Sequence, residues 1–345
     1  MFISIFLFAF LSSDAVAASD GSDEGWEAPL ITFNASLGTP AQQIKFAVAP
    51  DYEDVLVIGE FCVGIACKQL NGNRTFYKPS KSSTANDTGF EVKSRYGHSI
   101  VLGEYISEQI TVDTLKAVPL EIGVLKRASP TFYHLKADGV FGLSLKNYYR
   151  SHGEFKSAFN SLLQNADTPQ ATVWINHATS NADRYGHIVF GSQSHKKYCK
   201  GSPQFYPKSF EYSFNVDKFR FGSVQSHRSV DSKIDFTSRF ISIPSLEYQL
   251  ILRAIGINNP KAFSCSSITG IDLQLKIGGN YYSISPDDYT YKDSNGYCNL
   301  LLVDNGNYYN DGNGWILGYP FLINRCTTFN QQKASIGFSP SLSSK

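Results

Sequence analysis

Short runs of alternating apolar and polar residues, broken by Gly, Pro, Asn and Asp, recur along the chain from Leu30 onward. In residues 43–48, for example, Ile44, Phe46 and Val48 fall on one face. A period of two residues is typical of β-strands, whose side chains point to opposite faces in turn. The same pattern predicts strands at 99–112, 171–176, 187–190, 271–277 and 334–338. Most of the chain is therefore predicted to be β.

Apolar residues recur at helical spacing in two places, and each is expected to be a single helix packed on a sheet. The second predicted helix begins at Pro244-Ser245, where a serine can act as N-cap. The residues expected on the two buried faces are Phe155, Phe159, Leu162 and Leu163 for the first helix, and Leu246, Leu250, Ile251 and Ala254 for the second.

Two segments resemble each other weakly. Residues 46–51 and 232–235 each end a strand-like run in Asp, and an apolar run follows shortly, at 55–58 and at 240–241. Two halves with one Asp-bearing loop each are one interpretation. The alternative is that strands commonly end in Asp turns.

The composition fits a folded protein. Of 345 residues, 42% are hydrophobic and 18% are charged, which is enough apolar material for a large core and too little charge for disorder. Lys plus Arg total 31 against 30 for Asp plus Glu, so the formal net charge is +1. That balance gives no electrostatic reason for a nucleic-acid or anionic-membrane partner, and we expect none.

The N-terminus has the pattern of a signal peptide, predicted at residues 1–17. An apolar run at 2–11 is followed by polar residues and then by Ala15-Val16-Ala17, a small-residue cleavage pattern. No Lys or Arg occurs before Lys45, and a core strand is the alternative interpretation. No later apolar stretch approaches the ~20 residues needed to span a bilayer. We therefore expect no membrane span and a secreted or lysosomal destination.

Six cysteines suit an oxidising compartment, although six allow about 15 connectivities. Cys62 and Cys67 are close enough in the sequence for a disulfide to close one short loop. Three sequons, at Asn34, Asn73 and Asn86, predict glycans on the first quarter of the chain.

A series of motifs then follows in a specific order: the segment from Ile31 to Gln43 with Gly38-Thr39-Pro40, the Cys62 to Cys67 loop, Tyr77 to Thr84, Tyr96-Gly97, Asp138 to Leu143, Cys265 with Cys298, and Trp315 to Phe321. In this order they resemble the pepsin-like aspartic peptidases (family A1), over the whole chain after the signal peptide. The resemblance implies an all-β, bilobal acid-protease fold with a cleft between two lobes related by a pseudo-two-fold axis.

The same resemblance implies the organisation of the chain. A short segment at 18–29 with no propeptide evident precedes an N-terminal lobe with a flap at 30–190 and a C-terminal lobe at 191–345. Cys199 and Cys326 occupy the positions of an extra pair in nematode members. The implied disulfides are Cys62–Cys67, Cys199–Cys326 and Cys265–Cys298.

The resemblance assigns Asp51 and Asp235 to the catalytic dyad. The family reaction needs two carboxylates that share a proton, one activating a water and the other protonating the carbonyl oxygen. Each family loop reads Asp-Thr-Gly-Ser/Thr, in which Thr ties the loops together and Gly admits a backbone amide. This chain departs at both Thr and both Gly positions, which hold Tyr52, Glu53, Phe236 and Thr237.

Further departures concern the cleft and flap. The first loop is one residue short, and Val57 stands where the family has a Trp that bonds the flap Tyr, here Tyr96. Arg239 is a candidate partner for Glu53 or Asp54, and a solvated Arg is the alternative. The residues expected to line the cleft and flap are Tyr96, Gly97, His98, Ser238 and Arg239.

These departures favour a monomeric pseudoprotease that binds a peptide, a protein or a glycan in the cleft without cutting it. The alternative is an active acid endopeptidase that uses Asp51 and Asp235. No Gly-x-Ser-x-Gly elbow is present, and His195 with Cys199 lacks companions at metal-ligand spacing. We expect no metal and no cofactor.

Overall fold

The computed structural model describes residues 31–49, 52–68, 74–96, 99–112, 115, 117–144, 148–150, 153–155, 157–175, 186–207, 212–236, 238–306 and 314–342. Several predictions fall outside these residues. They are the signal peptide at 1–17, the segment at 18–29, and the site residues Asp51, Asn73, Gly97, His98 and Thr237.

Strands dominate the described chain. The first twelve are β1 (Thr32–Leu37), β2 (Gln42–Ala49), β3 (Val55–Ile58), β4 (Asn86–Tyr96), β5 (Ser99–Thr111), β6 (Val118–Arg127), β7 (Gly139–Gly142), β8 (Tyr148–Arg150), β9 (Gly153–Phe155), β10 (Gln170–Ile175), β11 (Gly186–Phe190) and β12 (Gln204–Pro207). The others are β13 (Phe214–Phe221), β14 (Val224–Ser226), β15 (Val230–Ile234), β16 (Ile241–Ile243), β17 (Leu273–Ile277), β18 (Asn280–Ile284), β19 (Thr290–Lys292), β20 (Cys298–Leu300), β21 (Leu302–Asp304), β22 (Ile316–Leu317), β23 (Arg325–Asn330) and β24 (Ser335–Pro340).

The strands predicted from alternation are confirmed. In β2, Ile44, Phe46 and Val48 are buried, as the period of two requires. The segments at 99–112, 171–176, 187–190, 271–277 and 334–338 correspond to β5, β10, β11, β17 and β24.

Helices are short and few in the described chain. They are α1 (Thr131–His134), α2 (Ala158–Leu163), α3 (Gln193–Tyr198), α4 (Ser245–Ile255), α5 (Pro286–Tyr289) and α6 (Tyr319–Leu322), with single 3-10 turns at 65–67, 79–81 and 265–268. Among the residues that the structure describes, no helix is long and apolar enough to cross a membrane.

Both helix predictions need a correction. Phe155 ends strand β9, and α2 begins later, where the Ser157 side chain accepts a hydrogen bond from the Asn160 amide as an N-cap. In α4 the buried face is rotated from the predicted one, because Leu246 is exposed while Glu247 is buried. Glu247 occupies the inner face because Arg228 neutralises it through two hydrogen bonds.

The helix α4 also begins differently from the prediction. Its N-cap is Pro244, which makes no side-chain hydrogen bond to the helix, and Ser245 is the first helical residue. The Ser245 hydroxyl contacts the Asp304 carboxylate instead. The serine therefore fastens the start of the helix to β21 rather than capping it.

Two sheets carry the same arrangement of strands. In the first, β2 pairs in parallel with β7, β7 pairs antiparallel with β3, and β3 pairs in parallel with β6. In the second, β15, β22, β16 and β21 repeat these three pairings in the same sense. The weak sequence similarity of the two halves therefore reflects a structural duplication.

A five-stranded sheet joins the halves, in the order β11-β10-β23-β24-β12. Its strands come from widely separated parts of the chain, since β10 pairs with β23. The largest hydrophobic cluster runs through both lobes, and a second cluster lies under β3, β4 and β5 in the N-terminal lobe. The all-β bilobal fold is thereby confirmed.

The three disulfides have the pairing that the resemblance implied: Cys62–Cys67, Cys199–Cys326 and Cys265–Cys298. The second fastens the end of α3 to the central strand β23, where Trp174 and Tyr198 pack around it. It therefore anchors the joining sheet at its middle.

Candidate active site

Equivalent strands lead into the two predicted catalytic loops. The chain passes from β2 into the segment containing Asp51, and from β15 into Asp235. Because β2 and β15 occupy the same place in the duplicated motif, the two aspartates follow equivalent positions in the fold. Asp51 itself lies outside the described residues.

The backbone after Asp51 is held tightly. The Tyr52 amide donates to the Ala49 carbonyl at 3.3 Å, and the Tyr52 carbonyl accepts from the Ser144 amide at 3.1 Å. A Cβ on Gly142 would lie 2.1 Å from the Tyr52 carbonyl oxygen. Glycine at 142 is therefore required for β7 to approach the loop.

The Tyr52 side chain is directed into its own lobe. Its ring is half-buried and packs against the second hydrophobic cluster. Its hydroxyl oxygen lies 2.9 Å from the Ser94 hydroxyl oxygen, in the flap strand β4. Tyr52, which is predicted to replace a threonine, thus joins the loop to β4.

Two further acids follow in this loop. Asp54 is buried, and its carboxylate accepts a hydrogen bond from the Tyr105 hydroxyl at 3.3 Å. Glu53, which is predicted to replace a glycine, is half-buried. The Asp54 carbonyl also accepts from the Gly142 amide at 3.0 Å, so this acid belongs to the packed base of the loop.

The second loop is built in the same manner. The Asp235 amide donates to the Leu317 carbonyl at 3.1 Å, and the Tyr319 amide donates to the Ser238 carbonyl at 2.9 Å. A Cβ on Gly318 would lie 2.1 Å from the Phe240 carbonyl oxygen, so this position requires glycine, as position 142 does in the first loop. Asp235 is half-buried at the end of β15.

Phe236, which is predicted to replace a threonine, is directed into the core. It is 3% exposed, and its ring centroid lies 6.0 Å from that of Phe329 in the joining sheet. Phe329 also contacts the Tyr212 ring at 4.6 Å. The Phe236 ring is therefore accommodated in an aromatic cluster between the second loop and the joining sheet.

Ser238 and Arg239 have local roles. The Ser238 hydroxyl donates to the Phe240 carbonyl at 3.0 Å and accepts from the Phe240 amide at 3.1 Å, which closes a small turn. The Arg239 guanidinium lies 4.6 Å from the centroid of the Phe240 ring. Pairing of Arg239 with Glu53 or Asp54 stays a prediction.

The residues predicted to form the flap belong to the hairpin of β4 and β5, in which Tyr96 pairs with Ser99. Val57, which is predicted to replace a tryptophan, lies fully buried in β3 opposite Gly139. Sequence reasoning missed Ser94 and Phe329, the partners of the two loop rings. Both lie far away along the chain, and the sequence carries no signal that links them to the loops.

No group of three or more His, Cys, Asp or Glu side chains in the described chain is placed to hold a metal ion. Cys199 is in a disulfide. The Nε2 atom of His195 lies 2.9 Å from the Ser339 hydroxyl oxygen, and burial lowers the pKa of this histidine.

The fold and the paired loops define an aspartic-protease-like protein. The family of eukaryotic aspartyl proteases matches residues 32–341, and the chain belongs to it. It is 25% identical over 323 residues to Aspartic protease 6 of Caenorhabditis elegans, covering 90% of this chain and 81% of that protein. It is 25% identical over 316 residues to Cathepsin E of Aquarana catesbeiana (88% and 78%), and 23% identical over 312 residues to Pepsin A of Gallus gallus (88% and 82%).

Proposed function

We propose that this chain is a secreted, nematode-type member of the aspartic protease family with impaired catalysis, which binds a peptide, a protein or a glycan in the cleft between its lobes. The observation that carries the proposal is the placement of Tyr52 and Phe236, which follow the two aspartates. Each side chain makes the contacts described above within its own lobe, Tyr52 with Ser94 and Phe236 with Phe329.

These contacts bear on catalysis because the dyad depends on its scaffold. The family threonines supply hydroxyls that tie the loops to each other. Here the Tyr52 hydroxyl is engaged with Ser94, and Phe236 has no hydroxyl. Loss of the two cross-loop hydroxyls would remove part of the preorganisation that shared protonation requires.

The second candidate function is acid endopeptidase activity by Asp51 and Asp235. The duplication favours it, because both aspartates follow equivalent strands and the Asp235 amide keeps its bond to Leu317. The two candidates share the cleft and differ in whether a bound peptide is cut.

Cleavage of a diverse peptide library separates the two candidates. The full chain is incubated with the library at several pH values between about 2.5 and 7, the range in which a carboxylate dyad changes its protonation. Pepsin serves as the positive control, and matched arms contain pepstatin or the Asp235→Asn variant. We expect no cuts beyond those of the Asp235→Asn arm. Cuts that both pepstatin and Asp235→Asn abolish would refute impaired catalysis.

The proposal includes the route of the protein. We propose removal of residues 1–17, passage through the secretory pathway, glycosylation at Asn34, Asn73 and Asn86, and a monomeric final state. In support, Asn34 and Asn86 are exposed, and the structure contains three disulfides. Expression in eukaryotic cells tests this directly, through the N-terminal residue, the mass change on deglycosylation and the size of the secreted protein.

A further inference from the structure

A cavity of about 330 Å³ opens on the N-terminal lobe, away from the catalytic loops. Its apolar lining includes Ile106, Val124 and Leu125 from β5 and β6. None of its lining residues belongs to segments 52–54 or 235–239. Ligand-binding pockets typically have volumes of about 300 Å³ or more, so this cavity has room for one or two side chains of a partner.

An exposed apolar loop borders the cavity. Phe61 lines it, and Phe61, Val63 and Ile65 are 71%, 71% and 68% exposed. The Cys62–Cys67 disulfide closes this loop, and the Val63 amide donates to the Lys126 carbonyl at 3.0 Å beside the cavity. The exposure of three apolar side chains to water on one constrained loop is unfavourable in the free protein. Such a patch is typical of an interaction surface.

The cavity wall is acidic. It carries the carboxylates of Glu60, Asp87 and Glu104 against the single ammonium of Lys126, which pairs with Glu104. The Glu60 carboxylate accepts from the Ser80 hydroxyl at 3.0 Å, and that of Asp87 accepts from the Gly89 amide at 2.9 Å. These donors are neutral, so two negative charges stay in excess.

Three further charged residues lie near this wall in the chain or across a strand pair. Glu91 stands opposite Glu104 across the β4–β5 pair but does not line the cavity. Lys78 and Lys81 flank Pro79 and Ser80 in the chain, but neither lines the cavity.

We propose that this cavity and the Cys62–Cys67 loop form a docking site for a protein segment that carries an apolar side chain next to a lysine or arginine. The apolar side chain enters the cavity against Ile106 and Val124, and the cation pairs with Glu60 or Asp87 at its wall. Opposite charge guides the segment in, while the apolar contact holds it. The site lies outside the interlobe cleft and is a separate function.

The sequence disfavours self-occupancy by the N-terminal segment. Residues 18–29 contain Asp20, Asp23, Glu24 and Glu27 and no Lys or Arg. An acidic segment would be repelled by the acidic wall. The complementary partner is therefore a basic segment of another protein.

The experiment is a selection from a random heptapeptide display library on the full chain carrying Asn86→Gln. This substitution keeps a glycan from the rim, since Asn86 lies between Ala85 and Asp87, which both line the cavity. Enriched peptides are synthesised, and their dissociation constants are measured by calorimetry at low and high salt. We expect the peptides to combine Lys or Arg with Leu, Ile or Phe, and to bind more weakly at high salt.

Variants locate the binding. Phe61→Ser and Glu60→Lys, both at exposed or partly exposed positions, are expected to weaken binding at least about tenfold. Leu246→Ser and Asp272→Lys, at exposed positions of the C-terminal lobe, are the matched controls and are expected to bind as the parent does. The proposal is overturned if no peptide is enriched, if the enriched peptides lack a cation, or if Phe61→Ser and Glu60→Lys bind them unchanged.

Discussion

The hydroxyl oxygens of Tyr52 and Ser94 lie 2.9 Å apart, which joins the first predicted catalytic loop to β4, a strand of the predicted flap. In the family pattern, the flap Tyr is instead anchored by a Trp at the position of Val57. Here Val57 is buried in β3, and its side chain has no hydrogen-bond donor. The predicted flap is therefore joined through its strand β4, at Ser94, to the residue that follows the predicted catalytic aspartate.

Replacing Tyr52 by Phe removes this contact and keeps the ring. We expect Tyr52→Phe to lower the free energy of unfolding by about 1 kcal/mol, the net value of one hydrogen bond. Amide exchange in β4 should also accelerate, because the flap loses its tie to the loop. Urea unfolding and hydrogen exchange measure the two effects. Tyr281→Phe, at a side chain that is 48% exposed, is the control, and unchanged β4 exchange in Tyr52→Phe would contradict the anchoring role.

Truncating Phe236 leaves a cavity between the second loop and the joining sheet. We expect Phe236→Ala to cost about 3–5 kcal/mol, the usual loss for a buried Phe, since the ring packs on Phe329. Thermal unfolding measures the loss. Phe61→Ala, at an exposed phenylalanine, should change stability by less than about 0.5 kcal/mol. Equal melting temperatures for the two variants would show that Phe236 is not part of the core.

Glu108 links stability to pH. Burial raises the pKa of this carboxyl, but hydrogen bonds from the Thr84, Tyr77 and Ser82 hydroxyls and from the Gln109 amide outweigh burial, so the pKa is lowered. The stabilisation is fully present above the unfolded pKa of about 4.3, and it is lost as the pH falls through the lower folded value.

We therefore expect Glu108→Gln to lower the melting temperature at neutral pH, with a difference from wild type that shrinks on acidification below about pH 4.3. Melting curves over this range measure it, with Glu91→Gln, at an exposed position, as control. A difference that stays constant at every pH would exclude this titration.

The pair of Arg228 and Glu247 makes a further prediction. The Glu247 side chain is 2% exposed, and Arg228 binds it through two nitrogens, at 3.2 and 2.9 Å. Arg228→Ala would leave a buried charge without its cation, at a cost of about 3–5 kcal/mol. Adding Glu247→Leu to Arg228→Ala should recover part of the loss. Arg253→Ala, an exposed arginine of the same helix, is the control; if it costs as much as Arg228→Ala, the pair has no special role.

Alternation predicted six of the 24 described strands, at β2, β5, β10, β11, β17 and β24, because a period of two residues reflects which side chains of a strand are buried. The same reasoning failed in α4, where Glu247 lies inside and Leu246 outside. An ion pair with Arg228 in another segment decides that face, and helical periodicity contains no information about it.

The loops show a similar limit. The sequence shows that two aromatic residues, Tyr52 and Phe236, follow the predicted catalytic aspartates, but it does not show where their rings lie. In the structure the rings lie in their own lobes, against Ser94 and Phe329. Such partners are set by tertiary packing, so they are not readable from either loop alone. The assignment of Asp51 and Asp235 to a dyad stays a prediction, because Asp51 lies outside the described residues.

The late position of β22 and β23 in the chain has a consequence for synthesis. β22 fills the place between β15 and β16, and β23 fills the place between β10 and β24. During translation β15, β16 and β10 emerge first and keep open edges until the last strands arrive. Open edges recruit other chains. A nascent chain that stops before Trp315 would therefore expose unpaired strands in two sheets at once, and we expect it to be retained by chaperones or to aggregate rather than to form a stable N-terminal fragment.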